Sequence, residues 1–406
     1  MTTGVQNQYD VGGVMLARPF KVRRLGHFGL HLQRLPEGLR FYTELLGYRV
    51  SDTLDFRTTS PHPEAFEGVD DPRAFFLRYN GDHHAFVLGS KQASEARRGG
   101  GTGHDSTGQM SYQVGTLSEV ANVVPWLQER GLKLRMVGRD MPGSNWHAYF
   151  TDPDARTVEL FYGMEQIGWT GRTKPTPMYE RRFRSPVPLP QISEFDEVQD
   201  ALAKGTDIES GYRHVELPAR FDVDGILLPR PFKIVNMGPL RLFVDDMAAA
   251  EAFYRDVMGF ALTEEVIWQG QRCVFLRVNT EHHTVALYPK ALRSALGFSD
   301  HTSCMSFGVQ VGTYRQLCDA LEFLKAEGST IRELPAELSP GIDYSALVLD
   351  PDGHAVQLYF QMEQIGWDGK PRPPGSRPRV QFGQWPRQLE ALPDTYTGQV
   401  FLGPLG

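Results

Sequence analysis

The sequence predicts an α+β fold built from four copies of one module, in which a strand and a helix are followed by three further strands. Two long repeats carry this prediction. The segment GVMLARPFKVRRLG at residues 13–26 recurs as GILLPRPFKIVNMG at residues 225–238, and MEQIGWTGRTKP, from Met164, recurs as MEQIGWDGKPRP, from Met362. The chain therefore consists of two copies of one unit, produced by internal duplication.

Each copy divides again into two modules. FYTELLGYRVSDTLDF, from Phe41, matches FYRDVMGFALTEEVIW, from Phe253, and each is followed by a strand that contains a His-His pair. The second segment of each copy begins with a strand, continues into a helix and ends with a DPD turn between two strands. A module of roughly 60 residues buries too little surface to be stable alone, so we expect the modules to pair into two barrels.

The helices carry boundary signals. Pro36 lies near a first turn, and glycines lie just past four predicted helix ends, at Gly47, Gly131, Gly259 and Gly328. Pro125 lies inside the second helix, where we expect a kink. The charged and proline-rich connection between the copies contains a short helix at residues 195–204.

These boundaries divide the chain into five parts. We expect an N-terminal arm at residues 1–23, a first domain at 24–169, a linker at 170–235, a second domain at 236–367 and a C-terminal arm at 368–406. A connection as long as this linker usually has a function of its own or wraps the surface.

The composition excludes several classes of function. With a net charge of -7 and a pI near 6.0, the chain does not favour nucleic acid or an anionic membrane as a partner. Its three cysteines lack CxxC spacing and predict neither a disulfide framework nor a thiolate zinc site. Because no apolar run reaches about 18 residues and the N-terminus lacks a signal-peptide pattern, we predict a cytoplasmic protein without a membrane partner.

A carboxylate in residues 144–169 gives the first indication of a site. This segment predicts a strand, a tight turn and a second strand. Because side chains alternate between faces, His147 and Tyr149 share one face of the first strand. Glu159 lies between Val158 and Leu160 in the second strand, where a carboxylate is costly to bury unless it meets a cation. Glu159 is therefore a candidate metal ligand.

Four such modules, with a carboxylate on the strand after a DPD turn, resemble the vicinal oxygen chelate superfamily. Within it, the chain is most similar to the type I extradiol dioxygenases of the catechol 2,3-dioxygenase and dihydroxybiphenyl dioxygenase kind, over residues 24–169 and 236–367. The resemblance implies a metal-dependent, ring-cleaving dioxygenase that takes a small hydroxylated aromatic substrate and O2. It implies Fe(II) as the metal, with Mn(II), Zn(II) or Ni(II) as other options, and a homo-oligomer.

The resemblance also assigns roles to four residues. His27, in LGHFGLHL, matches the first metal-ligating histidine of the family, and Glu159 matches its carboxylate ligand. Tyr149 precedes Glu159 by ten positions, as does the family's tyrosine that hydrogen-bonds the substrate. His84, the second of a His-His pair, matches the acid/base histidine, a role that suits a group with a pKa near neutral.

The third ligand departs from the family. The position of the second histidine is occupied by Gln109, a neutral oxygen donor that holds Fe(II) less strongly than imidazole. Glyoxalase I enzymes use a glutamine ligand, but their pattern also needs a carboxylate where this chain has Val87. His104 and His147 are the other candidates for the third ligand, and His147 is also a candidate catalytic residue. Asp140 replaces a further histidine of the family.

The second copy lacks the proposed ligands. At the positions of His27, Gln109, Tyr149 and Glu159 it has Pro239, Ser306, Leu347 and Gln357. We therefore expect the metal site in the first domain and a non-catalytic second domain, whereas the familiar dioxygenases have the reverse order. The second copy keeps its own histidine pair, which favours a structural role for at least one histidine of each pair.

Three functions remain open from the sequence. The first is the extradiol-type dioxygenase, and the second is a metal-dependent isomerase or lyase of the glyoxalase kind, favoured by Gln109. The third is a binding protein without metal, in which Glu159 would be hydrogen-bonded to protein groups rather than face His27.

Overall fold

The structure is a computed structural model that describes residues 8–98, 106–139, 142–178, 189–190, 192–366, 368–378, 380 and 383–389. Two residues named above, His104 and Asp140, lie outside the described residues. Within the described ranges no helix is long and apolar enough to cross a membrane.

The described residues of the first half of the chain form ten strands. A short hairpin precedes one sheet, and the strands are β1 (Tyr9–Val11), β2 (Val14–Leu16), β3 (Val22–Leu32), β4 (Arg49–Asp55), β5 (Arg73–Arg78), β6 (Phe86–Ser90), β7 (Thr107–Val114), β8 (Met136–Arg139), β9 (Trp146–Thr151) and β10 (Thr157–Tyr162). The helices are α1 (Leu35–Arg40), which continues as a π-helical turn (Phe41–Leu46), α2 (Phe56–Thr59), α3 (Lys91–Arg98) and α4 (Leu117–Glu129), with a 3-10 turn at Pro63–Phe66.

The second half repeats this order after a connecting segment. That segment contains α5 (Glu194–Ala203) and 3-10 turns at Thr176–Met178 and Ile208–Ser210. The strands that follow are β11 (Phe221–Val223), β12 (Ile226–Leu228), β13 (Ile234–Val244), β14 (Ala261–Trp268), β15 (Gln271–Arg277), β16 (Val285–Pro289), β17 (Cys304–Val311), β18 (Thr330–Arg332), β19 (Ser345–Leu349) and β20 (Ala355–Tyr359). The helices are α6 (Met247–Ala252), with a π-helical turn (Phe253–Val257), α7 (Leu292–Ala295) and α8 (Tyr314–Ala326), with 3-10 turns at Ala336–Leu338 and Pro374–Ser376.

Each half forms one eight-stranded sheet with the same topology. The first sheet has the order β4-β5-β6-β3-β7-β10-β9-β8, and the second has the order β14-β15-β16-β13-β17-β20-β19-β18. In each half the first strand of a module pairs in parallel with the last strand of the same module, and the two first strands pair antiparallel at the centre. The predicted α+β fold of four strand-helix-three-strand modules in two pairs is confirmed.

Local signals explain the helix boundaries. The hydroxyl of Thr116 accepts a hydrogen bond from the backbone N–H of Glu119 at the start of α4, and Thr313 does the same for α8. Gly47 ends the first helical segment with φ of 100°, a left-handed conformation that disfavours other residues. Pro125 lies within the continuous helix α4.

The main core lies between the two sheets and joins the two halves. Phe307 of β17 stacks on Phe86 at 5.0 Å between ring centroids and lies 5.5 Å from Phe28. The buried hydroxyl of Tyr42 donates to Asp350 Oδ2 at 2.9 Å. Because side chains alternate along β3, Phe28 points into this shared core while His27 points to the opposite face of the sheet.

The predicted linker helix is present as α5, one residue earlier at each end than expected. Ser193 caps it by accepting a hydrogen bond from the N–H of Asp196. Glu197 on this helix approaches Arg139 of β8 at 2.5 Å and Lys174 of the connecting segment itself at 2.9 Å. The connecting segment is thereby fastened to the first half of the chain.

Candidate metal site

Four neighbouring strands bring the candidate residues to one level of the first sheet. In the register of the sheet, His27 of β3 pairs with Ser111 of β7, Ser111 pairs with Glu159 of β10, and Glu159 pairs with Tyr149 of β9. Adjacent strands lie about 4.8 Å apart, so paired side chains on the same face are neighbours. His27 and Glu159, which are 132 positions apart in the sequence, therefore meet because of strand order.

Glu159 and His27 face one another on the inner face of the first sheet, where both side chains are buried. Glu159 Oε2 lies 2.7 Å from His27 Nε2, and neither side chain has any exposed surface. Ser111 Oγ donates a hydrogen bond to the same oxygen at 2.5 Å, and Asn145 Nδ2 donates to Glu159 Oε1 at 2.8 Å. Both oxygens of the carboxylate are therefore oriented by protein donors while one of them also faces His27.

The surroundings of Glu159 favour its charged form. Burial raises the pKa of this carboxyl group, but the attraction of His27, hydrogen bonds from His27 and Ser111, and the charge of His147 oppose burial and lower the pKa below its usual value. A negative charge held in a buried site is a strong attractor for a cation.

The histidine pair His83–His84, which lies just before β6, forms one wall beside His27. The rings of His84 and His27 lie 4.5 Å apart between centroids, edge to face, and Phe76 lies 5.1 Å from His84. His83 Nδ1 and His84 Nδ1 are 3.0 Å apart, within hydrogen-bond reach. Burial, followed by repulsion from His27 and His83, holds the pKa of His84 well below its usual value, so this imidazole is neutral at pH 7.

His147 and Tyr149 line the other side of Glu159. Their rings lie 4.5 Å apart between centroids, and His147 Nδ1 is 4.0 Å from Glu159 Oε1. Asn145 lies one residue before β9, and its side-chain amide also reaches Glu159.

Gln109 lies on the same face of β7 as Ser111 but two residues earlier, so it is not level with His27 and Glu159. It pairs with Gly29 rather than with His27, and its Nε2 donates to Ser111 Oγ at 3.4 Å. Ser111 lies between His27 and Glu159 on the intervening strand β7. Gln109 is thus linked to Glu159 through the Ser111 hydroxyl.

Two residues of the site, Ser111 and Asn145, were missed from the sequence. Alternation along β7 could have found Ser111, which follows Gln109 by two residues, whereas Asn145 lies just before β9 and its only sequence signal is its position two residues before His147. Their hydroxyl and amide are the donors that a buried carboxylate requires.

The donor set fits a divalent metal ion in part. Adjacent ligands at about 2.1 Å from an octahedral ion lie about 3 Å apart, close to the 2.7 Å between His27 and Glu159. In the described part of the chain, no three His, Cys, Asp or Glu side chains are grouped to hold one ion. A third protein ligand would therefore have to be a neutral oxygen donor, such as Gln109, or a residue outside the described ranges, such as His104.

The corresponding place in the second sheet has a different chemistry. Gln357 replaces Glu159, and its amide nitrogen donates to Ser345 Oγ at 2.8 Å. Pro239 occupies the position of His27. Neither residue supplies a charge or an imidazole for a metal.

A separate cleft of about 490 Å³ lies beside the connecting segment, and its lining includes Arg78, Trp169, His214 and Arg230. None of the residues around Glu159 lines it. We therefore place the candidate chemistry at the buried carboxylate rather than in this cleft.

Comparison with known proteins agrees with the fold. The family described as the Glyoxalase/Bleomycin resistance protein/Dioxygenase superfamily matches residues 24–160 and 236–358. The 2,2',3-trihydroxybiphenyl dioxygenase of Sphingomonas paucimobilis is 32% identical over 133 residues, which are 33% of this chain and 44% of that protein. The match therefore spans less than half of this relative.

Solved structures share the architecture at low identity. Homoprotocatechuate 2,3-dioxygenase from Brevibacterium fuscum has a TM-score of 0.54 at 15% identity, over 88% of this chain and 86% of its own. The Mn(II)-bound glyoxalase from Novosphingobium aromaticivorans has a TM-score of 0.52 at 14% identity, over 86% and 85%. At such identities the likeness shows a common fold. Because the family match covers both halves of the molecule, the chain belongs to the glyoxalase/bleomycin resistance protein/dioxygenase superfamily.

Proposed function

We propose that the first domain is a metal-dependent dioxygenase that cleaves a catechol-like aromatic ring beside a hydroxyl group. The observation that carries the proposal is the buried Glu159, which faces His27 at 2.7 Å with Tyr149 on the neighbouring strand. The similarity to a trihydroxybiphenyl dioxygenase supports an aromatic substrate. The second domain then has a structural role in this reaction.

His27, Glu159 and Gln109 would hold the metal, with Fe(II) favoured over Mn(II), Zn(II) or Ni(II). An imidazole, a carboxylate and a neutral amide would leave the remaining coordination positions of the ion open for substrate and O2. When bound, the ion would supply the redox chemistry of ring cleavage.

Ser111 and Asn145 fix the orientation of the Glu159 carboxylate. Each donates to a different oxygen, at 2.5 and 2.8 Å, so the group cannot rotate without losing a charge-assisted hydrogen bond. Such outer partners of a ligand typically change metal affinity by about 10- to 100-fold.

His84 would accept a phenolic proton from the substrate and return it later. Its lowered pKa keeps the ring neutral at pH 7, the form that accepts a proton. It lies against His27, so a substrate that reaches the metal also reaches His84. Tyr149 would hydrogen-bond the substrate oxygen at which negative charge develops.

The described residues close the site to water. His27, His147 and Glu159 have no exposed surface, and a side chain at Gly143 would lie 2.9 Å from the His84 ring, so the segment before β9 covers that histidine. A substrate therefore enters only after this segment moves.

Oxygen consumption tests the proposal directly. The protein is loaded with Fe(II) without oxygen, mixed with a panel of catechols that includes a trihydroxybiphenyl, and then exposed to O2 in an oxygen electrode. We expect uptake coupled to a coloured ring-cleavage product with at least one catechol, and no uptake by the His27→Ala variant. Absence of uptake with every catechol, after loading with either Fe(II) or Mn(II), would refute the dioxygenase.

A glyoxalase-like isomerase or lyase is the second candidate, and one observation favours it. Gln109, the type of ligand found in glyoxalases, lies on the face of the site and is linked to Glu159 through Ser111. This function predicts turnover without O2 and better support from Zn(II), Ni(II) or Mn(II) than from Fe(II).

The metal-free binding protein remains the third candidate. The surroundings of Glu159 do not decide between a binding protein and a metal enzyme. Its carboxylate accepts hydrogen bonds from Ser111 and Asn145, as expected for a binding protein, and it also faces His27, as expected for a metal site. A ligand that binds equally well with and without metal ions would favour this function.

A further inference from the structure

The inner face of the second sheet holds a buried positive charge. Arg241 lies on β13 at the position of Gly29 in the first sheet, and it has no exposed surface. Among the described residues, none of its three guanidinium nitrogens has a hydrogen-bond partner. No carboxylate of the described chain forms an ion pair with it.

The groups around Arg241 do not supply a counter-charge. The titratable groups that interact with its charge are the phenols of Tyr288 and Tyr359, the thiol of Cys304 and the imidazole of His283, whose own pKa is lowered by burial and then by His282 and Arg241. Burial raises the pKa of Cys304 to about 12 and raises the pKa of both phenols, so all three are uncharged at neutral pH. An arginine side chain stays protonated even when burial lowers its pKa. A buried charge without a partner is strongly unfavourable, so its retention calls for an explanation.

Other polar atoms near this arginine also lack partners. Ser306 is the direct cross-strand neighbour of Arg241, and its hydroxyl is buried without a hydrogen bond among the described residues. The same holds for Gln357 Oε1 and for His283 Nε2. Ser306 lies on β17 and Gln357 on β20, the strands that correspond to β7 and β10 of the first half, and His283 lies just before β16.

Apolar side chains complete the surroundings. Phe243 lies two residues beyond Arg241 on the same strand and so on the same face. It belongs to a buried cluster that also includes Phe275 and Leu347. A guanidinium fork with a neighbouring hydroxyl, set among apolar side chains, matches a carboxylate attached to an apolar body.

We propose that the inner face of the second domain binds a small carboxylate with an apolar or aromatic body, held by the Arg241 guanidinium and the Ser306 hydroxyl. The inner faces of the two sheets then carry opposite buried charges, although at positions that do not correspond. The first has Glu159, which favours a cation, and the second has Arg241 with the neutral Gln357 in place of the glutamate. The site is independent of the proposed dioxygenase activity.

Benzoate is a suitable probe, and benzamide is its uncharged counterpart. Binding to the full-length protein is measured by calorimetry and by thermal stabilisation, at constant ionic strength. We expect benzoate to bind at least roughly tenfold more tightly than benzamide, because only the carboxylate pairs with the guanidinium fork. Equal affinity for the two, or equal stabilisation by chloride or phosphate, would overturn the proposal.

Variants locate the probe. Arg241→Met should weaken benzoate binding by at least roughly tenfold, and Arg241→Lys, which keeps the charge without the fork, should weaken it less. Arg277→Met, on β15, which β16 separates from β13 in the same sheet, is the matched control and should bind as the wild type does. Benzoate binding that is unchanged in Arg241→Lys and Arg241→Met would contradict the assignment.

The ligand-free variant gives a second, independent readout. If Arg241 has no partner within the protein, replacing it by methionine leaves the ligand-free protein at least as stable as the wild type. A large loss of stability would show that a protein group outside the described residues already pairs with Arg241, and it would overturn the proposal.

Discussion

The Ser111 hydroxyl offers the most specific test of how the site is built. Ser111 has no exposed surface, and its Oγ donates to Glu159 Oε2 at 2.5 Å. Ser111→Ala removes this donor without adding volume. Because a hydrogen bond to a charged group contributes about 1.5–3 kcal/mol, we expect the free energy of unfolding to fall by that amount.

Metal binding separates a role in the site from a role in stability. Without Ser111 the carboxylate is held only by Asn145 and His27, so we expect the affinity for Mn(II) or Fe(II) to fall by about 10- to 100-fold. Titration calorimetry under anaerobic conditions measures this affinity, and denaturant unfolding of the metal-free protein measures the stability.

Ser51→Ala is the matched control. Ser51 is buried to the same degree and accepts a hydrogen bond from Arg78 Nη1 at 3.1 Å, away from Glu159. We expect it to lower the stability of the protein while leaving metal affinity unchanged. If Ser111→Ala keeps wild-type metal affinity, the hydroxyl does not orient a ligand and our account of the Glu159 environment is wrong.

Three further predictions follow from other parts of the molecule. His84→Gln should lower turnover by about 100- to 10,000-fold with metal content unchanged, whereas His283→Gln, its counterpart in the second copy, should leave turnover unchanged, as steady-state oxygen uptake will show. Phe307→Ala should lower the free energy of unfolding by about 3–5 kcal/mol because this ring is buried between the two sheets, and the exposed Phe195→Ala should change it by less than about 0.5 kcal/mol. Burial raises the pKa of Glu281 to about 7, above its value in the unfolded chain, so the wild type loses stability as the pH rises through this range. Glu281→Gln should therefore stabilise the protein at pH 8 by about 1–3 kcal/mol, less than the full shift implies because the side chain keeps some exposure, and a destabilised variant in denaturant unfolding at pH 8 would contradict this.

The first copy provides a control for the Glu281 prediction, because the pKa of the corresponding carboxyl group is shifted in the opposite direction. Asp82 corresponds to Glu281, but Arg24 lies 3.1 Å from it and Gln166 donates to it at 2.7 Å. Burial raises the pKa of Asp82, but these partners outweigh burial and lower it below its usual value. Its contribution to stability is present above the unfolded pKa, so Asp82→Asn should destabilise the protein at neutral pH.

The architecture was predictable because the repeats exposed the module. Once GVMLARPFKV and MEQIGW were seen to occur twice, strand and helix signals fixed the order within each copy. The placement of His27, Tyr149 and Glu159 at one level was also within reach, since residue type, strand alternation and the family resemblance all indicated it.

The register between strands was not predictable from the sequence. Spacing measured back from Val114 led to Gln109, but the pairing of β7 with β10 places Ser111 opposite Glu159. A register shift between Leu25 and His27 of β3 also changes which residues of β7 lie opposite the residues of β3. Such offsets depend on packing between distant strands, and no local pattern records them.

The buried arginine of the second domain was missed for a related reason. Sequence reasoning compared only the four positions at which the first copy has its site residues, and Arg241 corresponds to Gly29. Its importance appears only when burial and the lack of a partner among the described residues are known.

Metal content is the measurement that tests the central claim most directly. Wild-type protein and the Glu159→Gln variant, both purified without chelator and loaded with Fe(II) or Mn(II) under identical anaerobic conditions, are compared by elemental analysis, with Glu119→Gln as the control for loss of a buried carboxylate elsewhere. We predict about one ion per chain in the wild type and in Glu119→Gln, and little or none in Glu159→Gln. Equal metal content in the wild type and Glu159→Gln would contradict the claim that Glu159 is a metal ligand.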